Sequence, residues 1–162
     1  MRVDLKDEYD KQMEFTERRV NSSDEEFLYR MHKATMLPYV EITWGAWEDE
    51  WQRAYFHDHF VPDQMTIIQL DGQDVGVMRV QERTEEIYLA ILEILPEFQN
   101  KGIGTTVIQT LLQKANQHGK PVALKVLKVN LPARSLYQRL GFGVTGEDTT
   151  HYIMAYEKKG TE

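Results

Sequence analysis

Two glycines one residue apart, Gly102 and Gly104, stand where an apolar run gives way to a helical one, within Gln99-Asn100-Lys101-Gly102-Ile103-Gly104-Thr105. Glycine costs up to about 1 kcal/mol relative to alanine inside a helix, so its presence at a helix start asks for a reason. The first four backbone N–H groups of a helix have no partner within it, and the helix dipole adds partial positive charge there. Such a terminus attracts phosphate, and glycines let the main chain approach an anion closely. Gly102 and Gly104 therefore suit a pyrophosphate lying on the amides of about Asn100 to Thr105, with charge added by Lys101. Close packing of a helix onto a strand explains the same pair equally well. A nucleotide-triphosphate loop does not fit, because Thr105 and Thr106 follow Gly104 where that loop needs lysine. A dinucleotide fingerprint does not fit either, because Val107 stands in place of its third glycine.

The elements that must position this turn follow from periodicity. "IYLAILEI", Ile87 to Ile94, is a nearly continuous apolar run and reads as a strand buried on both faces. From Gly102, the residues Ile103, Val107, Ile108, Leu111, Leu112 and Ala115 trace one helical face that ends at Gly119 and Pro121. "VALKVLKV" is the next strand, followed by a short helix around Pro132 to Leu140 and by a closing antiparallel pair, "FGVTGED" and "HYIMAYEK". Upstream, "MTIIQL" and "VGVMRV" flank the turn signal "DGQD" and read as a hairpin. Ser23 and Glu26 have capping-box spacing, opening a helix that carries Phe27, Leu28, Met31 and Thr35 and stops at Pro38. A second helix is expected from about Ala46 to Phe60, with Trp44, Trp47, Trp51, Ala54 and Tyr55 as a core-packing stripe; the intervening "MLPYVEITWG" reads as a loop suited to binding. This order indicates one α/β domain, a mixed sheet covered by helices.

Composition narrows the partners. The 162 residues, 41% of them apolar, suit one domain spanning 1–162. With 26 acidic and 19 basic side chains the net charge is −7, and no Lys/Arg run offers a footprint for nucleic acid. No stretch approaches the roughly 20 apolar residues needed to span a bilayer, and "MRVDLKDEYDKQ" lacks the apolar segment of a secretory signal, so a cytoplasmic protein without membrane partners is expected. The absence of cysteine removes disulfides, thiolate metal sites and a cysteine nucleophile. His57 and His59, two residues apart, make a poor metal pair on a helix, and no metal is implied.

Gln99-Asn100-Lys101-Gly102-Ile103-Gly104 resembles the acetyl-CoA motif of the GNAT superfamily of N-acetyltransferases, Gln/Arg-x-x-Gly-x-Gly/Ala, preceded as in that family by an apolar strand and a Pro-Glu turn. "KVNLPARSLYQRLGF" is similar to the family's second signature, an asparagine ending a strand, a helix carrying Leu-Tyr, then Gly-Phe. The resemblance covers about Met65 to Lys158 and implies a mostly antiparallel sheet in which one parallel pair splays apart, flanked by helices. It implies acetyl-CoA as cosubstrate, bound by Ile94, Leu95, Gln99 to Thr105, Asn130 and Tyr137. Backbone groups freed near Glu93, Ile94 and Leu95 would hold the pantetheine arm and the acetyl carbonyl. A small-molecule or peptide amine would enter the splay from the opposite side and attack the thioester directly. Family members often pair through sheet edges or the terminal hairpin, which leaves a homodimer as an expectation.

A primary amine with a pKa near 10 is roughly a thousandfold protonated at pH 7, a penalty of about 4 kcal/mol unless a base or a desolvating pocket shifts it. Tyr137 sits where the family places its general acid; packing over the cofactor sulfur is the alternative. Asn130 would hold the cofactor or the acid, or simply cap the helix. A glutamate that some members carry five residues before that asparagine is Lys125 here, and another early in the splayed strand is Tyr88. Glu93 is then the nearest carboxylate for a general base, with Glu86 and Glu41 as substitutes, set against the ordinary reading of each as a solvated surface group. Trp44 and Glu41 could receive a cationic amine. His32 and His151 could also reach a substrate pocket, set against the ordinary reading of each as a hydrogen-bonded or exposed histidine. A binding module that keeps acyl-CoA affinity without turnover, and an acyltransferase using a longer acyl group or a hydroxyl acceptor, are the competing functions.

Overall fold

A computed structural model describes residues 15–157. Its strands are β1 (Phe15–Arg19), β2 (Met65–Leu70), β3 (Gln73–Glu82), β4 (Ile87–Ile94), β5 (Val122–Leu127), β6 (Gly143–Glu147) and β7 (His151–Tyr156). Four α-helices accompany them: α1 (Glu25–Trp44), α2 (Asp49–Asp58), α3 (Ile103–Gln117) and α4 (Leu131–Arg139). The strands form one mixed sheet in the order β1-β2-β3-β4-β5-β7-β6, antiparallel throughout except for the parallel pair β4 and β5.

Period-two alternation splits the core between the two faces of this sheet. Ile67 faces α1, where Leu28, Met31, Met65 and Val77 are buried with it. Its neighbour Ile68 faces the other way, onto Ile103 and Val107 of α3. All six apolar positions expected on α3 are buried, and Ile108, Leu111, Leu112 and Ala115 seat it on Ile87, Leu89, Val122 and Leu124 of β4 and β5. The "DGQD" hairpin forms as the sequence predicts, and so does the closing pair β6 and β7.

Three expectations are corrected on the N-terminal side. The capping box uses Asn21 and Asp24 rather than Ser23 and Glu26: Ser23 N–H donates to Asn21 Oδ1 and Asn21 N–H to Asp24 Oδ2, both at 2.9 Å. Helix α1 does not stop at Pro38 but runs through it to Trp44, so "MLPYVEITW" is helical rather than a loop. Proline costs a helix interior about 3 kcal/mol, yet Pro38 lies on the exposed side while Leu28, Tyr29, Met31, Thr35 and Val40 bury the opposite one. Tertiary packing outweighs the local penalty. Pro38→Ala is accordingly expected to stabilise the fold by about 1–3 kcal/mol, read from the denaturant midpoint. Third, α2 is shorter than the spacing suggests and buries none of its residues. Trp51 and Tyr55 stack on one another 5.2 Å apart and, with Trp44, are at least half exposed, so these three form a surface rather than a core, while Trp47 packs on Tyr29 and His32. Strand β1 is unanticipated; it pairs along β2, and Arg18 ties it to Asp24 and Asp74 through contacts of 2.9 and 2.7 Å.

Candidate active site

The parallel strands β4 and β5 pair at only three positions, Ile87 with Val122, Tyr88 with Ala123 and Leu89 with Leu124. Beyond Leu89 they separate. The cause is visible on the other side of β4: Arg79 pairs with Ile91 but Val80 with Leu89, so Ala90 is an extra residue, a bulge that turns the strand away from β5. The bulge and splay implied by the resemblance are both present.

Alternation determines which backbone groups this exposes. Leu95 N–H donates to Val75 O of β3 at 2.8 Å; two residues back, Glu93 faces β3 in the same way, and the main-chain groups of Leu92 and Ile94 face the gap. The expectation for Leu95 is therefore corrected, because its amide is already spent. Ile94 O accepts from Gln99 Nε2 at 2.9 Å, so the Gln99 side chain holds the turn leading to α3.

A cavity of about 200 Å³ lies beyond that turn. Ile94, Gln99, Asn100 and Gly102 line one part of it, Ile103, Gly104 and Thr105 another, and Asn130 and Tyr137 its far wall. Lys101 is not on the wall; its ammonium lies 5.4 Å from the centre of the Phe98 ring. Arg139, at the end of α4, is on the wall, though the sequence motifs did not point to it. No side chain caps the N-terminus of α3, and the amides of Ile103, Gly104 and Thr105 precede its first internal bond, from Thr106 N–H to Gly102 O. Gly102 has φ +83°, which other residues rarely adopt, and a Cβ there would meet nothing within 4 Å. At Gly104 a Cβ would come 3.1 Å from Leu136 Cδ2, so this glycine also lets α3 and α4 pack closely. The close approach is to a helix rather than to the strand expected for the glycine pair.

A second cavity, about 720 Å³, opens on the opposite side of the splay between α1, α2 and the parted strands. Trp44, Trp51 and Tyr55 stand on its rim and Glu48, Glu93, Lys125, His32 and His151 on its wall. The two cavities share Met36, Leu92, Glu93, Asn130, Ala133 and Tyr137, so they meet where β4 and β5 part.

Tyr137 is buried, and that burial pushes its phenol up to about 12. Its hydroxyl has no hydrogen-bond partner among the described residues and yet is not sealed away, which leaves it opening into the shared space. Asn130 Oδ1 accepts from Ala133 N–H at 3.3 Å and caps α4, leaving the amide NH₂ free for the cavity wall. Glu93 is buried rather than solvated: Thr35 Oγ1 donates to its Oε2 at 2.5 Å and His32 Nδ1 at 3.0 Å. The substitutes proposed for it are elsewhere. Glu86 pairs with Arg83 at 2.9 Å, and Glu41 is exposed on α1, on neither cavity wall. Among the described residues no helix is long and apolar enough to cross a membrane, and no three His, Asp or Glu side chains gather as a metal site.

Comparison with known proteins agrees with this architecture. PaiA N-acetyltransferase from Thermoplasma acidophilum, solved with coenzyme A, is 18% identical and superimposes with a TM-score of 0.72 over 90% of this chain and 99% of its own. Naa50 from Arabidopsis thaliana, solved with the bisubstrate analogue CoA-Ac-MVNAL, is 14% identical with a TM-score of 0.60 over 88% of this chain and 98% of its own. In sequence, 80 residues are 30% identical to the probable N-acetyltransferase camello of Xenopus tropicalis; they make up 47% of this chain but only 36% of that relative. The acetyltransferase (GNAT) family itself matches residues 26–142, a span that takes in α1, the bulged strand, the glycine turn and Tyr137, and on that match the chain belongs to the family.

Proposed function

We propose that this domain transfers the acetyl group of acetyl-CoA to a primary amine that enters from the larger cavity. The observation that carries the proposal is the junction: two cavities reach the same buried tyrosine from opposite sides of a split sheet. The amides of Ile103, Gly104 and Thr105 would receive the diphosphate, with Arg139 near it. N–H groups of Leu92 and Ile94 would receive the pantetheine amides and polarise the acetyl carbonyl. As the C–N bond forms and the C–S bond breaks, Tyr137 gives a proton to the departing sulfur. A phenol held at about 12 stays protonated at every working pH, so the donor is always charged with its proton. It is regenerated from solvent.

The acceptor we propose is an amine on a compact body with apolar or aromatic surface. A space of about 720 Å³ falls in the range of small-molecule sites, and its rim offers three exposed rings and the Glu48 carboxylate to a cation. A peptide acceptor, as in the analogue bound to the Arabidopsis neighbour, is favoured less. Trp44 and His151, 6.2 Å apart, join the end of α1 to the start of β7 at the cavity lining, an enclosure that suits a compact acceptor better than an extended chain.

Thiol release from acetyl-CoA over a panel of amines and short peptides tests both statements. Turnover with compact amines supports the reading. If acetyl-CoA raises the melting temperature but no amine is turned over, the domain is a binding module instead. With a responsive amine in hand, Trp51→Ala is expected to raise KM about two- to fivefold with kcat nearly unchanged, matching the roughly 0.5–1 kcal/mol of an exposed cation–ring contact.

A further inference from the structure

We propose that His32, oriented by Glu93, is the group that takes the proton from the attacking amine. This rests on the proposed acetyl transfer and deepens it.

The geometry is that of a histidine held for proton transfer. A carboxylate can only accept hydrogen bonds, so the 3.0 Å contact fixes the proton of neutral His32 on Nδ1 and turns Nε2 into the acceptor. Nε2 has no hydrogen-bond partner among the described residues and is not sealed from solvent, and His32 lines the larger cavity. Two neutral aromatics pack near the ring, Trp47 at 5.8 Å and Phe56 at 5.7 Å. Both oxygens of Glu93 are within 3.2 Å of Nδ1, and Thr35 adds a second donor to Oε2. Glu93 borders the cavity too, but its carboxylate oxygens are engaged by His32 and Thr35, which makes it a positioning residue for the histidine. The other charged or titratable groups on this cavity wall are Glu48, Lys125, Tyr137 and His151.

Burial works against a proton on His32, but the charge and hydrogen bond of Glu93 outweigh it, leaving the pKa above the ordinary 6.5. A base in that range is far better matched to an ammonium than an ordinary carboxylate is. The proton ledger closes. Nitrogen gives one proton to His32 Nε2 as it bonds to the acetyl carbon, sulfur receives one from Tyr137, and solvent returns both groups to their starting states.

Neutral His32 is the active form, so kcat/KM should rise with pH through the His32 pKa. His32→Gln should lower kcat about a hundredfold or more, in line with the loss of a general base. It should also remove this limb, leaving only the rise that follows the amine's own pKa near 10. Acetyl-CoA should still raise the melting temperature of that variant. Glu93→Gln deletes the charge that favours protonated His32, so its limb should move to lower pH; a merely structural role would leave the limb in place. Wild-type turnover with an unchanged limb in both variants overturns the role of His32 alone. Absence of turnover in the wild type overturns the acetyl-transfer reading beneath it.

Discussion

Tyr137→Phe is expected to lower turnover by two to three orders of magnitude while leaving acetyl-CoA affinity and the melting temperature close to wild type. The substitution removes one oxygen and keeps the ring that packs on Phe142, 5.6 Å away. Because the hydroxyl has no partner among the described residues, its loss strands no buried donor or acceptor. The whole effect should therefore fall on kcat, where general acid catalysis is worth about 10²–10⁴-fold. Thiol-release kinetics beside a thermal melt separate the outcomes. A fall in affinity with kcat intact would mean that Tyr137 only packs against the cofactor.

Gly104→Glu is expected to weaken acetyl-CoA binding about a hundredfold or more, roughly 3 kcal/mol, without unfolding the domain. The backbone at Gly104 is helical and accepts a side chain; the new Cβ would approach only Leu136 Cδ2, the movable end of a flexible group. The new carboxylate would then stand among the amides of Ile103, Gly104 and Thr105, occupying the position proposed for the diphosphate and repelling it. Calorimetric titration with coenzyme A measures the loss, and intact affinity would displace the anion from this turn.

The fold was most legible where one physical signal dominated. Helix α3 shows an unbroken 3.6-residue apolar face, and the β2 and β3 hairpin announces itself by the turn signal "DGQD" between two apolar runs; both appear as expected. The N-terminal half was harder, for two reasons. At Pro38 a strong local stop signal was overridden by long-range burial of the opposite helical side. In α2, aromatic residues at helical spacing looked like core, although periodicity gives the width of an apolar stripe and not what it faces. They border a cavity instead. Within the site, Gly102 and Tyr137 belong to local motifs and could be singled out. His32 stands out only as a histidine able to reach a pocket, and its role is not legible, because its defining partner, Glu93, is 61 residues away. The same distance hides that Glu93 is buried and turned to His32, where the sequence offers it as a general base or a surface carboxylate: its burial comes from α1, which contributes Thr35 and His32.

Among the described residues, the short register between β4 and β5 gives this sheet four margins in place of the usual two. The outer ones are β1 and β6; the inner ones confront each other beyond Leu89 and Leu124. Unsatisfied strand margins ordinarily invite another polypeptide to add itself, with aggregation as the result. Here α1 and α4 both line the inner opening, which is walled by helices rather than laid bare as an outer strand would be. The peptide valences that would make a sticky protein are thereby kept for a thread-like guest, slender enough to slip between two strands and amide-bearing enough to pair with them.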